Sequence, residues 1–296
     1  MNMAGILAAR RPTFSLEFFP PKTPSGWERL YRVIRRFEQV QPDFMSVTYG
    51  AAGATREQTH ELVRRVVEET DVEAVPHLTC VCHRKGEIDS ILSRYAALGI
   101  SGIMALGGDA PEGLEDCRSV FVHAIDLVRH IRAFCASGGH PEPSGFSIGV
   151  AGFPEGHPAA PNRVREIEYL KAKIDAGADY ICTQLFFDNR DFFDFRERCA
   201  IAGINVPILA GVMPVTTRKN FERIPTMAAR SRYPAGLIRA IERCADDAEI
   251  EKAGTEWAIE QCRGLLAGDV AGIHFYTLNR SRAIRTIWET VDPRTR

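Results

Sequence analysis

A single carboxylate, Glu17, stands inside the run Thr13-Phe14-Ser15-Leu16-Glu17-Phe18-Phe19, which stops at Pro20 and Pro21. An ionised carboxyl in so apolar a stretch loses its hydration, so it has to be paired, protonated or in use on a ligand. Seven further apolar runs end in polar residues in the same manner. Their ends supply Thr48 and Tyr49 followed by Ala51, then His77, then Gly107-Gly108-Asp109 on a double-glycine turn. The second half adds His157 in Phe153-Pro154-Glu155-Gly156-His157-Pro158, Gln184 after Thr183, and Arg280 after Asn279. A carboxylate, hydroxyls, imidazoles, an amide and a guanidinium in one place suit a pocket for a flat, polar, heteroaromatic ligand. Each residue has an ordinary structural alternative. His77 could be a core histidine bonded to backbone, Asp109 a helix cap or Asx-turn, Gln184 a partner for a buried amide, Arg280 a counter-ion. That all of them fall at strand ends together favours a site over that sum of coincidences.

The elements that must position these residues are eight short β-branched or aromatic runs, at 13–19, 44–49, 73–80, 101–106, 146–153, 179–187, 206–213 and 272–278. Between them lie segments of helical period. Residues 26–39 place Trp27, Leu30, Val33, Ile34 and Phe37 on one face, and a helix opening at Thr55 does the same with Leu62, Val63, Val66 and Val67. Similar patterns run over 86–98, 116–136, 163–176 and 190–202, and Gly99, Gly138, Gly177 and Gly203 suit helix ends. The stretch 216–267 predicts two or three extra helices between the seventh and eighth strands, and 281–291 a closing helix. Eightfold strand–helix alternation predicts an α/β fold, a (β/α)8 TIM barrel spanning 1–296 as one domain, with 1–12 as an N-terminal extension. An open doubly wound sheet is the rival; its dinucleotide form is disfavoured because no GxGxxG follows the first strand. In a barrel the chemistry belongs at the carboxyl ends of the strands, which is where the polar residues fall.

Composition sets outer bounds. Forty-five per cent hydrophobic and 25% charged residues describe an ordinary globular chain with a large core. A formal net charge of −1 gives no general electrostatic argument for nucleic acid or an anionic membrane as partner. No apolar run approaches the ~18 residues of a membrane span. Arg10 and Arg11 follow the first short apolar stretch instead of preceding it, the wrong order for a secretory signal, so a cytoplasmic protein is expected. The eight cysteines form no CxxC pair and read as reduced thiols. Cys80-Val81-Cys82-His83 fits no common zinc spacing, and no metal is expected.

The residues also carry a likeness. Ser15 to Thr23, Ser46 to Gly50, Pro76 to Thr79, Gly108-Asp109, Phe153 to Pro158, Lys173 to Ala178, Thr183 to Asp188 and His274 to Arg280 resemble, in order, motifs of the methylenetetrahydrofolate reductases. The resemblance spans residues 13 to 280; one motif alone would be weak, eight in register are specific. It implies a barrel that reduces 5,10-methylenetetrahydrofolate to 5-methyltetrahydrofolate with NADH or NADPH as hydride source. It implies Glu17 as the catalytic acid, a role that protonating the folate amine would give it as the methylene bridge opens to an iminium. It further implies Asp109, Gln184, Asn220 and Arg280 as folate contacts, with Asn220 standing where the family has a glutamine. Thr48, Tyr49, Ala51 and His77, again with Gln184, match positions on the cofactor side. No arginine pair for a 2′-phosphate stands out, so NADH is preferred over NADPH. Whether the chain forms a homo-oligomer is not legible in the sequence.

Departures from the family pattern cluster at the flavin. Flavoprotein members have an arginine where this chain has Gly107, a tyrosine where it has Phe153, and a Leu-Lys-Arg-Lys run where it has Leu170-Lys171-Ala172-Lys173. A flavin-contacting asparagine aligns with Tyr169 and an aspartate with Glu166. Each lost charge-assisted contact to a pyrophosphate is worth about 1.5–3 kcal/mol, so two would weaken FAD by roughly two to four decades. Gly108, His157 and Lys173 remain as residual flavin-site positions. The resemblance therefore points to the flavin-independent branch, FAD absent, with NADH passing its hydride straight to the folate in a ternary complex. An FAD-dependent ping-pong reductase is the alternative, and a non-catalytic folate-binding module or a pterin-dependent methyltransferase the alternatives of another class.

Overall fold

Eight parallel strands close on themselves in chain order, each hydrogen-bonded to the next and the last to the first. The computed structural model describes residues 2–9, 12–50, 56–81, 83–108, 121–228 and 231–292. The strands are β1 Thr13–Phe18, β2 Phe44–Val47, β3 Glu73–Thr79, β4 Gly102–Leu106, β5 Ser147–Gly152, β6 Tyr180–Thr183, β7 Ile208–Val212 and β8 Gly272–Tyr276. The helices are α1 Met3–Ala8, α2 Pro24–Glu38, α3 Arg56–Glu69, α4 Lys85–Ala97, α5 Ala124–Ala136, α6 Arg163–Asp175 and α7 Asn189–Ile201, followed by α8 Arg218–Met227, α9 Ala235–Glu242, α10 Asp247–Ala267 and α11 Arg282–Val291. The expected barrel is therefore present, and α8, α9 and α10 are the extra helices between the last two strands. Among the described residues no helix is long and apolar enough to cross a membrane.

Strand residues alternate between two cores, as the pleat requires. The outward set, including Phe14, Leu16, Phe18, Met45, Ile103, Ile148, Ile181 and Phe275, packs under the helices in one continuous core. The inward set at the amino-terminal end of the strands is Phe44, Val75, Met104, Tyr180 and Leu209, and it is closed from below by Met3 and Ile6 of α1. Room for those large side chains comes from Gly149, where a Cβ would overlap Met104 Sδ and the Tyr180 ring. A separate cluster of Leu185, Phe187, Met213, Val215, Ile224, Leu237, Ile241 and Ile250 seats α8–α10 against the far ends of β6 and β7.

Three boundaries differ from expectation for identifiable reasons. Residues 1–12 are more than an extension: α1, capped by Asn2, plugs the barrel floor, and Met3 N–H donates to Ser101 Oγ (2.7 Å). Of the helix expected over 116–136, residues 116–120 lie outside the described residues; the described helix begins at Ala124, where His123 takes the capping position and donates its backbone N–H to Asp126 (3.0 Å). The sixth strand ends at Thr183, not 187: the Gln184 side chain accepts from the Leu185 N–H (2.9 Å), and Leu185, Phe186 and Phe187 leave the sheet to pack in cores.

Candidate active site at the carboxyl ends of the strands

The inward alternation of β1 carries Ser15 and then Glu17 up the barrel axis. Glu17 pairs in register with Ser46 of β2 and Tyr276 of β8, and its side chain is 18% exposed. Two imidazoles flank one of its oxygens: His77 Nε2 lies 3.4 Å from Glu17 Oε2 and His274 Nε2 3.7 Å from it. They differ electrostatically. Burial holds the His77 imidazole below its ordinary pKa, the Glu17 carboxylate opposing and His274 adding to the depression. Burial also acts to lower His274, but the Cys182 sulfur and the Glu17 carboxylate outweigh it and bring it up to about 10. The two imidazoles are thus driven in opposite directions, His77 down and His274 up. Tyr276 stays a neutral phenol, pushed well above its usual range by burial first and by Cys182 and Glu17 next, and its hydroxyl donates to Thr183 O (2.7 Å).

The loop after β8 is fastened to the end of β1. Thr277 Oγ1 donates to Glu17 O (2.6 Å), while the Asn279 amide accepts from Phe19 N–H (3.1 Å) and donates to Phe19 O (2.8 Å). Leu278 and Asn279 take left-handed φ values of 47° and 56°, a strained turn of the sort found at functional sites. The turn delivers Arg280 to a cavity of about 450 Å3, lined also by Met213, Thr216, Thr217, Tyr276 and Arg282. The Asn220 carboxamide oxygen accepts from Thr216 (3.0 Å) and Thr217 (2.9 Å), so it braces two lining residues. Gln184 follows β6 directly and is half-buried, its oxygen on the Leu185 amide. Thr48 is anchored by its backbone to Phe18 O (2.9 Å). Tyr49 is buried, and its hydroxyl sits 2.9 Å from His83 Nε2 and accepts from Arg56 Nε (3.1 Å), leaving only its ring to meet a ligand. Ala51 and Asp109 lie outside the described residues.

The residual flavin positions are built into local structure. Gly108 has φ of +82°, and a Cβ there would come within 2.9 Å of Thr79 Cβ, so the turn demands glycine whatever it binds. His157 N–H donates to Glu166 Oε1 (2.8 Å), and its ring meets the Phe153 ring edge-on at 4.6 Å. Lys173 Nζ donates to Ala151 O (3.1 Å) and burial lowers it to about 8, Glu166 opposing. A dinucleotide pyrophosphate brought here would find no arginine at 107 and no arginine at 172, while Lys173 has one of its N–H donors on the Ala151 carbonyl. The described residues fit it only in part, with the arginine contacts missing. Nearby Glu155, buried, accepts from the Arg232 N–H (3.0 Å) and Nε (3.2 Å) and ties the β5 loop to the segment before α9.

Sequence reasoning selected Glu17 and His77 but passed over Ser15, Ser46, Cys182 and His274 as site residues. The signal was present in the period-two alternation, which puts His274 and Tyr276 on the face that carries Ser15 and Glu17; the adjacency of β1 and β8 across the closure was needed to use it.

Comparison with known proteins follows the geometry. The family model for methylenetetrahydrofolate reductase matches residues 2–292. Methylenetetrahydrofolate reductase (NADH) 1 of Arabidopsis thaliana is 39% identical over 279 residues, which are 90% of this chain and 46% of that protein. The 5,10-methylenetetrahydrofolate reductase of Escherichia coli K12 is 37% identical over 281 residues, 95% of this chain and 90% of that one. The chain thus spans about half the length of the plant relatives and nearly all of the bacterial one. Among solved structures, an uncharacterized Clostridium thermocellum protein that binds two copies of 5-methyl-5,6,7,8-tetrahydrofolic acid superposes with a TM-score of 0.69 at 15% identity, covering 98% of this chain and 97% of its own. At that identity the likeness speaks to the fold.

Proposed function

Since this chain belongs to the methylenetetrahydrofolate reductase family, we propose that it reduces 5,10-methylenetetrahydrofolate to 5-methyltetrahydrofolate by direct hydride transfer from NADH, without flavin. The observation that carries the reaction is Glu17, a largely buried carboxyl at the end of β1 with an imidazole on either side. Its proton goes to the folate amine that leaves the methylene carbon, the carbon–nitrogen bond breaks, and the resulting iminium takes the hydride. Arg280, placed by the strained turn after β8, holds the folate from the cavity, with Gln184, Asn220 and Asp109 as further folate contacts. Thr48, the Tyr49 ring, Ala51, His77 and Gln184 form the nicotinamide side. Direct transfer demands both substrates at once, with donor and acceptor carbons roughly 3–3.5 Å apart.

Flavin independence is supported by Gly107 and Ala172, which stand where flavoprotein members have arginines that would hold the pyrophosphate. The retained His157 and Lys173 favour the second reading, an FAD relay. A visible spectrum of the purified protein, followed by NADH oxidation assays with no flavin added, separates the two. A colourless, fully active preparation is expected; a yellow one whose activity tracks its flavin content restores the relay. Folate binding with no NADH oxidation under any flavin condition would leave a binding module.

A further inference from the structure

We propose that His274 is a positioning residue for the proton-transfer step, holding Glu17 Oε2 from inside the barrel so that the other carboxyl oxygen presents the proton to the folate. The inference rests on the reading of Glu17 as the acid. His274 is 2% exposed, so it is not placed to meet a substrate. Its orientation is over-determined by two neighbouring strands, β1 and β2. Nδ1 lies 2.7 Å from Ser15 Oγ on β1, and Nε2 lies 3.4 Å from Ser46 Oγ on β2 and 3.7 Å from Glu17 Oε2. The Phe44 ring stacks on it at 5.8 Å and 21°, and the Tyr276 ring meets it edge-on at 5.3 Å. The polar and titratable groups that face it are Ser15 and Glu17 of β1, Ser46 of β2, His77 of β3, Cys182 of β6 and Tyr276 of β8.

An imidazole fixed in this way costs nothing to reorganise when the proton leaves Glu17 and negative charge grows on the carboxylate. The separation of 3.7 Å is long for a hydrogen bond, as catalytic contacts often are before the substrate is in place. His274 transfers no proton itself: the proton passes from Glu17 to the folate amine, and the imidazole meets the charge left behind. His77, whose pKa burial lowers, lies 3.4 Å from the same oxygen.

The test is the pH profile of kcat/KM for His274→Gln and Ser15→Ala, with folate affinity measured alongside. A carboxylate deprived of a neighbouring N–H donor keeps its proton to higher pH. His274→Gln is therefore expected to lower kcat by about 10²-fold or more, change folate Kd by less than about threefold, and move the alkaline limb of the profile upward by about one pH unit. Ser15→Ala, which leaves the imidazole in place but strips its Nδ1 partner, is expected to move the limb the same way by less. It carries the test if His274→Gln does not fold. Lost activity with an unmoved limb in the folded variants assigns His274 to packing alone and overturns the inference. Glu17→Gln separates the two levels: if that variant keeps wild-type turnover, the acid assignment itself fails, whereas an inactive Glu17→Gln beside unmoved limbs removes only the role of His274.

Discussion

Glu17 is a group whose surroundings are worth more than its identity. A carboxylate on an exposed helix would exchange its proton with water; here Leu16 and Phe18 face the outer core while the carboxyl points up the axis between His77 and His274. Replacing it with glutamine keeps shape and hydrogen bonding but removes the proton. Glu17→Gln is expected to lower turnover by about 10²–10⁴-fold with folate affinity largely kept, as single-turnover and binding measurements would show. A second buried residue governs stability rather than chemistry. His60 on α3 lies against the Tyr95 ring at 5.2 Å, and burial first, then Arg94, lowers it to about 4. The folded protein thus holds it neutral while the unfolded chain takes a proton below the ordinary value of 6.5. The associated stability is fully present above about pH 6.5 and is lost as pH falls towards 4, a contribution on the order of 3 kcal/mol. Thermal melts across that window should fall less steeply for His60→Gln than for the parent; parallel slopes would release His60 from this role.

At the scale of elements, α1 and β8 show how short segments fix a site they hardly touch. The plug α1 fills the barrel floor with Met3 and Ile6, below the polar layer of Ser15, Ser46 and His274. Removing one plug side chain leaves a cavity under that layer. Met3→Ala should cost about 2–4 kcal/mol, read as a lower denaturation midpoint, with KM for folate unchanged; an unaltered midpoint would mean that α1 does not close the barrel in solution. The loop after β8 acts from the other end. It joins β1 through Thr277 and Asn279, so that Arg280 and Glu17, 263 positions apart in the chain, are referenced to the same backbone. Asn279→Ala leaves both Phe19 backbone groups short of a partner and should raise the folate KM more than it lowers kcat, because it loosens the turn that carries Arg280 while leaving the contacts of the Glu17 carboxyl in place.

For the whole molecule the decisive quantity is how many substrates the strand ends hold at once. A relay through bound flavin gives parallel lines in double-reciprocal plots, whereas direct transfer gives intersecting ones. Intersecting lines are expected here, and parallel lines would overturn the ternary complex. The sequence by itself determined the barrel, because strand–helix alternation repeated eight times leaves a chain of this kind few ways to bury both faces of its strands. It also singled out Glu17, because a carboxylate in an apolar strand has to be paired, protonated or in use on a ligand. Period-two alternation even carried His274 and Tyr276 to the correct face. What it could not supply was adjacency across the barrel closure. Only tertiary structure sets β8 beside β1, places His274 against Ser15 and Glu17, turns the Tyr49 hydroxyl away onto His83 and Arg56, and commits Lys173 to the Ala151 carbonyl. Those contacts join residues far apart in the chain, and local propensity has no term for a partner that arrives from another strand.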